Sequence, residues 1–221
     1  MFKNITSKIV IIAILLISFF GMNLEEGKGQ ISCPTGYTAT TRTLSIGGCD
    51  YEIALCYLCD PAYSNRQSIV FKGFRKIDLN CSTSMNYAQV LSYINNWLTL
   101  PATVSSICTE IMPCGEGVLT TYTMEPVCWQ FMKLGGQFWL LGDVECGEAM
   151  CVETYEHCYD PILDKVIISK TTGPDIIDEP TCTEFYTTSL DATALYNFLT
   201  NPGWLRSPCF YFINNKCDYP N

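Results

Sequence analysis

The chain has 221 residues, 22 acidic against 13 basic side chains, a formal charge of −9 and 14 cysteines. This balance argues against nucleic acid as a partner, because the only basic group, Lys72, Arg75 and Lys76, reads as the solvated side of a strand. All the cysteines follow the first 30 residues, and an even number in an exported chain reads as a set of disulfides, against a reducing compartment.

Residues 1–29 read as a secretory signal. Lys3 and Lys8 give a positive start, and Ile9 to Phe20 is an apolar run too short to span a bilayer. A cut after Gly29 leaves Gln30 first; a cut near Gly21 is the alternative. No later segment is apolar and long enough to cross a membrane, so the mature chain, with a charge of about −10, is expected to be secreted, or periplasmic or surface-bound if the source is bacterial.

After Cys33-Pro34-Thr35-Gly36 the chain alternates. Leu44, Ile46, Cys49, Tyr51 and Ile53 are apolar, and Thr43, Ser45, Asp50 and Glu52 are polar. Gly47-Gly48 interrupts the alternation, which predicts a two-residue hairpin pairing Ile46 with Cys49, Leu44 with Tyr51 and Thr43 with Glu52. Ser68 to Ile77 reads as a further strand. Asn86 to Leu98 reads as a helix with Val90, Leu91, Ile94, Trp97 and Leu98 on one face, and Pro101 lies just past its expected end.

This order recurs. The interval Cys81–Cys108 aligns without gaps on Cys182–Cys209 and is identical at seven positions, where chance gives roughly two. Asn96-Trp97-Leu98-Thr99-Leu100-Pro101 falls on Asn197-Phe198-Leu199-Thr200-Asn201-Pro202, which makes Trp97 and Phe198 equivalent core plugs. Lys165 to Lys170 is the matching strand, and Ser189 is the N-cap of the matching helix. Upstream, Cys49 and Cys56 have the spacing of Cys151 and Cys158, and Cys56-Tyr57…Asp60-Pro61 is matched by Cys158-Tyr159-Asp160-Pro161. The expected fold is therefore α+β: two tandem disulfide-stapled modules, 30–110 and 111–221, each a small antiparallel sheet with one packed helix. Three bridges are expected within each module, and Cys128–Cys146 is expected to staple an insertion in the second.

That insertion, 128–146, is the candidate binding surface. A diglycine at Gly135-Gly136 sets Lys133 opposite Phe138, which puts Trp129, Phe131, Phe138 and Leu140 on one face and Met132, Trp139 and Leu141 on the other. Both faces are apolar. One can pack on its own module; the other requires the first module, an extracellular protein or a glycan, and Trp129, Phe131, Met132, Phe138 and Trp139 are the residues assigned to such contact.

No catalytic set is assembled by the sequence. His157 is the single histidine and no Gly-x-Ser-x-Gly elbow is present, so it reads as a strand residue. Cys56-x-x-Cys59 follows a strand where a redox pair needs a helix N-terminus, and it lacks further thiolates or histidines for zinc. Asp143, Glu145, Glu148, Glu153 and Glu156 lack calcium-loop spacing and read as a solvated face. No catalytic residue, metal or cofactor is assigned. The expected function is a non-enzymatic binding or structural protein of the cell exterior. A hydrolase using carboxylates is one alternative, and a self-associating structural subunit that stacks through strand edges is another.

Overall fold

A computed structural model shows how these segments combine, and it describes residues 32–83, 85–134, 136–142, 146–182, 184–186, 200, 205–212 and 217. The predicted signal segment, 1–29, and the predicted second helix from Ser189, with Phe198, lie outside the described residues.

In chain order the strands are β1 (Thr38–Ile46), β2 (Cys49–Cys59), β3 (Arg66–Lys76), β4 (Leu119–Pro126), β5 (Cys128–Leu134), β6 (Gln137–Leu141), β7 (Met150–Asp160), β8 (Lys165–Ile177), β9 (Glu184–Tyr186) and β10 (Phe210–Phe212). Between β3 and β4 lie α1 (Tyr87–Leu98) and a short α2 (Pro101–Ser105). Gly47 and Gly48 take φ of 59° and 81°, the positive angles a tight hairpin needs, and Ile46 faces Cys49, Leu44 faces Tyr51 and Thr43 faces Glu52, as the alternation predicts.

Two antiparallel meanders, β1-β2-β3 and β4-β7-β8, make up most of the sheet. Their second turns are closed in the same way. The Asp60 carboxylate accepts the N–H groups of Ala62 and Tyr63 at 2.8 and 3.2 Å, and Asp160 accepts those of Ile162 and Leu163 at 2.8 and 3.1 Å. The Asp-Pro pairs visible in the sequence therefore mark turns.

The expectation of two separate α+β modules is overturned. All ten described strands belong to one mixed sheet, and both described helices come from the first half of the chain. The physical reason is the free edge of β3. Its first part, Arg66 to Val70, pairs in parallel with β4, and its later part, Gly73 and Phe74, pairs with β6. Gly73 permits that switch: a Cβ there would lie 2.2 Å from the Leu140 carbonyl oxygen. The sheet thus forks at β3, with one arm running through β4, β7 and β8 and the other through β6, β5, β10 and β9.

Asn86 begins α1 with a capping box, its side chain accepting from the Gln89 N–H while Gln89 accepts from the Asn86 N–H, both at 2.9 Å. Val90, Leu91, Ile94 and Leu98 are buried against Ile46, Tyr51, Ile53, Leu55, Ile69, Phe71 and Phe74, as the helical spacing predicts, with Trp97 half-buried beside them. Pro101 opens α2 as well as ending α1, since a proline's missing N–H costs nothing in the first turn of a helix.

Seven disulfides use every cysteine: 33–56, 49–81 and 59–108, then 114–158, 128–182, 146–209 and 151–217. None links residues 30–110 to residues 111–221. The expected Cys128–Cys146 staple is not formed. Those two cysteines hold instead Cys182 and Cys209, the residues aligned with Cys81 and Cys108, so the insertion is tied to the segment that follows it. Loops of this size stabilise by about 4 kcal/mol each in the chain-entropy treatment. The cysteine-rich, fully bridged framework is of an extracellular type, and no helix among the described residues is long and apolar enough to cross a membrane.

Candidate functional site

The aromatic hairpin is where the sequence places binding. Lys133 does face Phe138. Its first face closes the shared core: Trp129 is fully buried 5.6 Å from the Phe71 ring, and Phe131 is buried between Tyr87 and Phe210, at 5.6 and 5.4 Å. Its second face packs Met132, Trp139 and Leu141 around Ala54. The Arg75 guanidinium, paired with Glu52, lies 5.2 Å over the Trp139 ring. Residues 205–207 run along β5, where the Lys133 N–H donates to Leu205 and the Ser207 N–H to Phe131, both at 2.9 Å. Of the five residues assigned to contact, Phe138 alone is half-open, under the Lys133 ammonium at 5.5 Å. Met132 and Trp139 keep 6% and 8% of their surface. A ligand could reach the other four only by displacing these neighbours.

A second site emerges from comparing the two meanders residue by residue. β1 and β2 have the same mutual register as β4 and β7: Ile46 faces Cys49 as Glu125 faces Cys151, and Leu44 faces Tyr51 as Thr123 faces Glu153. On the face under the helices, Ile46, Tyr51, Ile53 and Leu55 therefore correspond to Glu125, Glu153, Tyr155 and His157. Lys170, opposite Tyr155, takes the place that Phe74 has opposite Ile53. An apolar surface in the first half is ionisable in the second.

This polar set is largely buried and internally connected. Glu153, 3% exposed, accepts from the Tyr155 hydroxyl at 2.9 Å and from Lys170 Nζ at 2.5 Å. Burial, then the hydrogen bond and negative charge of Glu153, then the charge of Glu125, push the Tyr155 phenol well above its ordinary range. His157, fully buried, donates Nε2–H to the carbonyl of Thr99, the C-cap of α1, at 3.1 Å. Gln67 donates to the Val104 carbonyl in α2 and to the Thr121 hydroxyl, both at 3.1 Å. These bonds tie the helices of the first half to strands of the second. Asn95 and Leu98 cover Thr123, Glu125 and Glu153, leaving room for about one water. Among the other acidic candidates, Glu148 is exposed and Asp143 and Glu145 lie outside the described residues. Cys56 and Cys59 are bonded to Cys33 and Cys108 rather than to each other.

The open apolar surface lies elsewhere. Ile162, Leu163, Ile168 and Ile177 are 91, 56, 41 and 50% exposed, all on β8 or its entering turn. By the pairing of Cys56 with Val70 and of Cys158 with Ile167, the run Val166-Ile167-Ile168 holds the place of Ile69-Val70-Phe71 in β3. The β3 run is fully buried; the β8 run is half-buried to exposed.

No family model matches this chain, and neither a curated protein nor a solved structure matches it.

Proposed function

We propose that this is a secreted, disulfide-bonded, non-enzymatic protein of the cell exterior, built by duplication of one meander, that works by contact along the outer edge of β8. The supporting observation is the Val166-Ile167-Ile168 run, half-buried to exposed on an edge unpaired among the described residues, whose counterpart in β3 is buried and pairs with β4. Strand edges bearing β-branched residues bind by adding a strand, because backbone groups supply hydrogen bonds and alternate side chains supply selectivity. The hydrolase alternative is disfavoured by the seating of Glu125 and Glu153 beneath α1, without a cleft for substrate.

The test is Ile168→Lys, a change at an exposed position that leaves the core intact. The variant is expected to fold with all its bridges and to move from the surface-retained to the free fraction of secreted protein. An unchanged distribution would remove β8 as the contact surface.

A further inference from the structure

The parallel joint between the two meanders supplies a template for contact between molecules. β3, the last strand of the first meander, lies beside β4, the first strand of the second, with Gln67 against Thr121, Ile69 against Thr123 and Val70 against Met124. β8 holds in the second meander the place of β3, and β1 holds in the first the place of β4. Among the described residues, no strand pairs with the outer edge of β8 or of β1.

We infer that a second copy of this chain docks its β1 in parallel along β8, so that the internal joint is repeated head to tail between molecules. The inference rests on the reading of β8 as the contact surface and names its occupant.

The shared registers fix the alignment. Ile167 takes the place of Val70 because each faces the second cysteine of its meander, Cys158 or Cys56. Thr40 takes the place of Leu119, since Thr40 faces Leu55 and Leu119 faces His157. Carrying the β3–β4 pairing over brings Val166 against Leu44 and Ile167 against Ser45. Continued one residue past the start of β8 into its entering turn, the same count sets Asp164 nearest Arg42. The internal joint has an amide-to-hydroxyl bond at that position, Gln67 to Thr121, whereas the joint between copies opposes a carboxylate and a guanidinium, both exposed. Within the strands, Val166 and Ile168 share the helix-side face, as do Arg42, Leu44 and Ile46, while Asp164, in the turn before β8, accepts from the Tyr159 hydroxyl at 2.6 Å.

Ile162 is the most exposed large apolar residue described. It sits in the turn that enters β8, at the end of the edge that this alignment brings to Thr40, where a groove of about 80 Å³ is walled by Thr40, Arg42, Leu55, Trp97 and Ile107. The edge thus meets an opposite charge, an apolar partner in Leu44 and a recess beside its entering turn. The joint is short. β3 leaves β4 beyond Val70, and on β8 the pairing irregularities opposite Val152 to Tyr155, together with Pro174, end a regular edge at a similar place. Because the contacting surfaces differ, the contact is heterologous and builds open chains unless rotation closes a ring.

The test uses the oxidised protein in sedimentation velocity over a range of concentrations. The wild type is expected to gain mass with concentration. Asp164→Arg and Arg42→Asp should each weaken association by about tenfold or more, since like charges then face each other. An equimolar mixture of the two should recover wild-type association, because every joint in an alternating chain again opposes unlike charges. Asp164 has a positive φ of 48°, so Asp164→Asn, which tolerates that geometry, is the companion variant and should weaken association less than Asp164→Arg. A wild type that stays monomeric, or swaps that leave association unchanged, would overturn the inference. If the wild type is monomeric while Ile168→Lys is released from the surface fraction, β8 remains the contact surface and its partner is another molecule.

Discussion

Tyr87 offers a quantitative check on how tightly the hairpin closes over α1. It is the first residue of that helix, and its ring lies 5.9 Å from Phe74 and 5.6 Å, edge-on, from Phe131. Burial, and secondarily the neighbouring Tyr51, push its phenol up to about 12 from 10. An acid whose folded-state pKa is raised binds its proton more tightly in the folded chain than in the unfolded one. Stability from this source is intact below pH 10 and declines as pH rises from 10 towards 12. At about 1.4 kcal/mol per unit, the loss over that window is about 3 kcal/mol. Tyr87→Phe keeps the ring and removes the ionisable group, so its unfolding free energy should fall less steeply with pH by that amount. Tyr155, also raised and of the same sign, remains in both proteins and cancels in the difference, whereas Tyr51, raised by burial, is relieved in the variant of its charge coupling to Tyr87. The assay is denaturant unfolding of wild type and variant across the alkaline range, with tyrosinate absorbance as a parallel readout. With every cysteine paired, no free thiol is present to start disulfide exchange. Parallel stability curves, or a Tyr87 phenol ionising near 10, would show that hairpin and helix do not seal this ring.

Two further outcomes follow from the packing and the bridges. Trp129→Ala should destabilise by about 3–5 kcal/mol, and Phe138→Ala by clearly less, measured by denaturant unfolding; equal losses would contradict the placement of Trp129 inside and Phe138 at the margin. Replacing Cys146 and Cys209 together by serine should cost about 4 kcal/mol, and an unreduced digest of the wild type should release Cys146 linked to Cys209, not to Cys128.

Local features of the fold are legible in the sequence because they are set by neighbours in the chain. The diglycine turn at Gly47 and the register around it, and the buried face of α1, depend on period-two and helical spacing alone. The β3–β4 joint depends on residues more than 50 positions apart, and nothing in either strand's composition announces the other. The hairpin at 128–146 does have two apolar faces, but its second is covered by Ala54 and Arg75 from remote strands, beyond the reach of pattern reading. The bridge scheme errs for a related reason: proximity in sequence suggests Cys128–Cys146, whereas the forked sheet carries both cysteines to Cys182 and Cys209. The polar face was within reach. Aligning Cys49–Cys56 with Cys151–Cys158 sets Glu153, Tyr155 and His157 on Tyr51, Ile53 and Leu55, an exchange at alternate positions that marks one face of one strand. Glu125 and Lys170 have no framing cysteines, and only the strand pairing brings them to that face.

The difference between the two inner faces explains where the open surface lies. In the first meander the apolar face is continuous beneath the helices, and α1 and α2 close it with ordinary core packing. In the second, the helices contact the sheet through His157 and over Glu125 and Glu153, with Gln67 of β3 linking α2 to Thr121, groups that hold one alignment by hydrogen bonding at the expense of apolar burial. Disulfides offset part of that loss by destabilising the unfolded chain. With polar groups occupying the strands nearest the helices, the branched apolar residues of the second meander lie farthest out, at Val166, Ile167 and Ile168. Such an edge invites another strand unless it is blocked. Lys165 and Lys170 bracket the run but do not interrupt it, and a β1 bearing Arg42 and Leu44 is the strand this chain itself supplies to fit it.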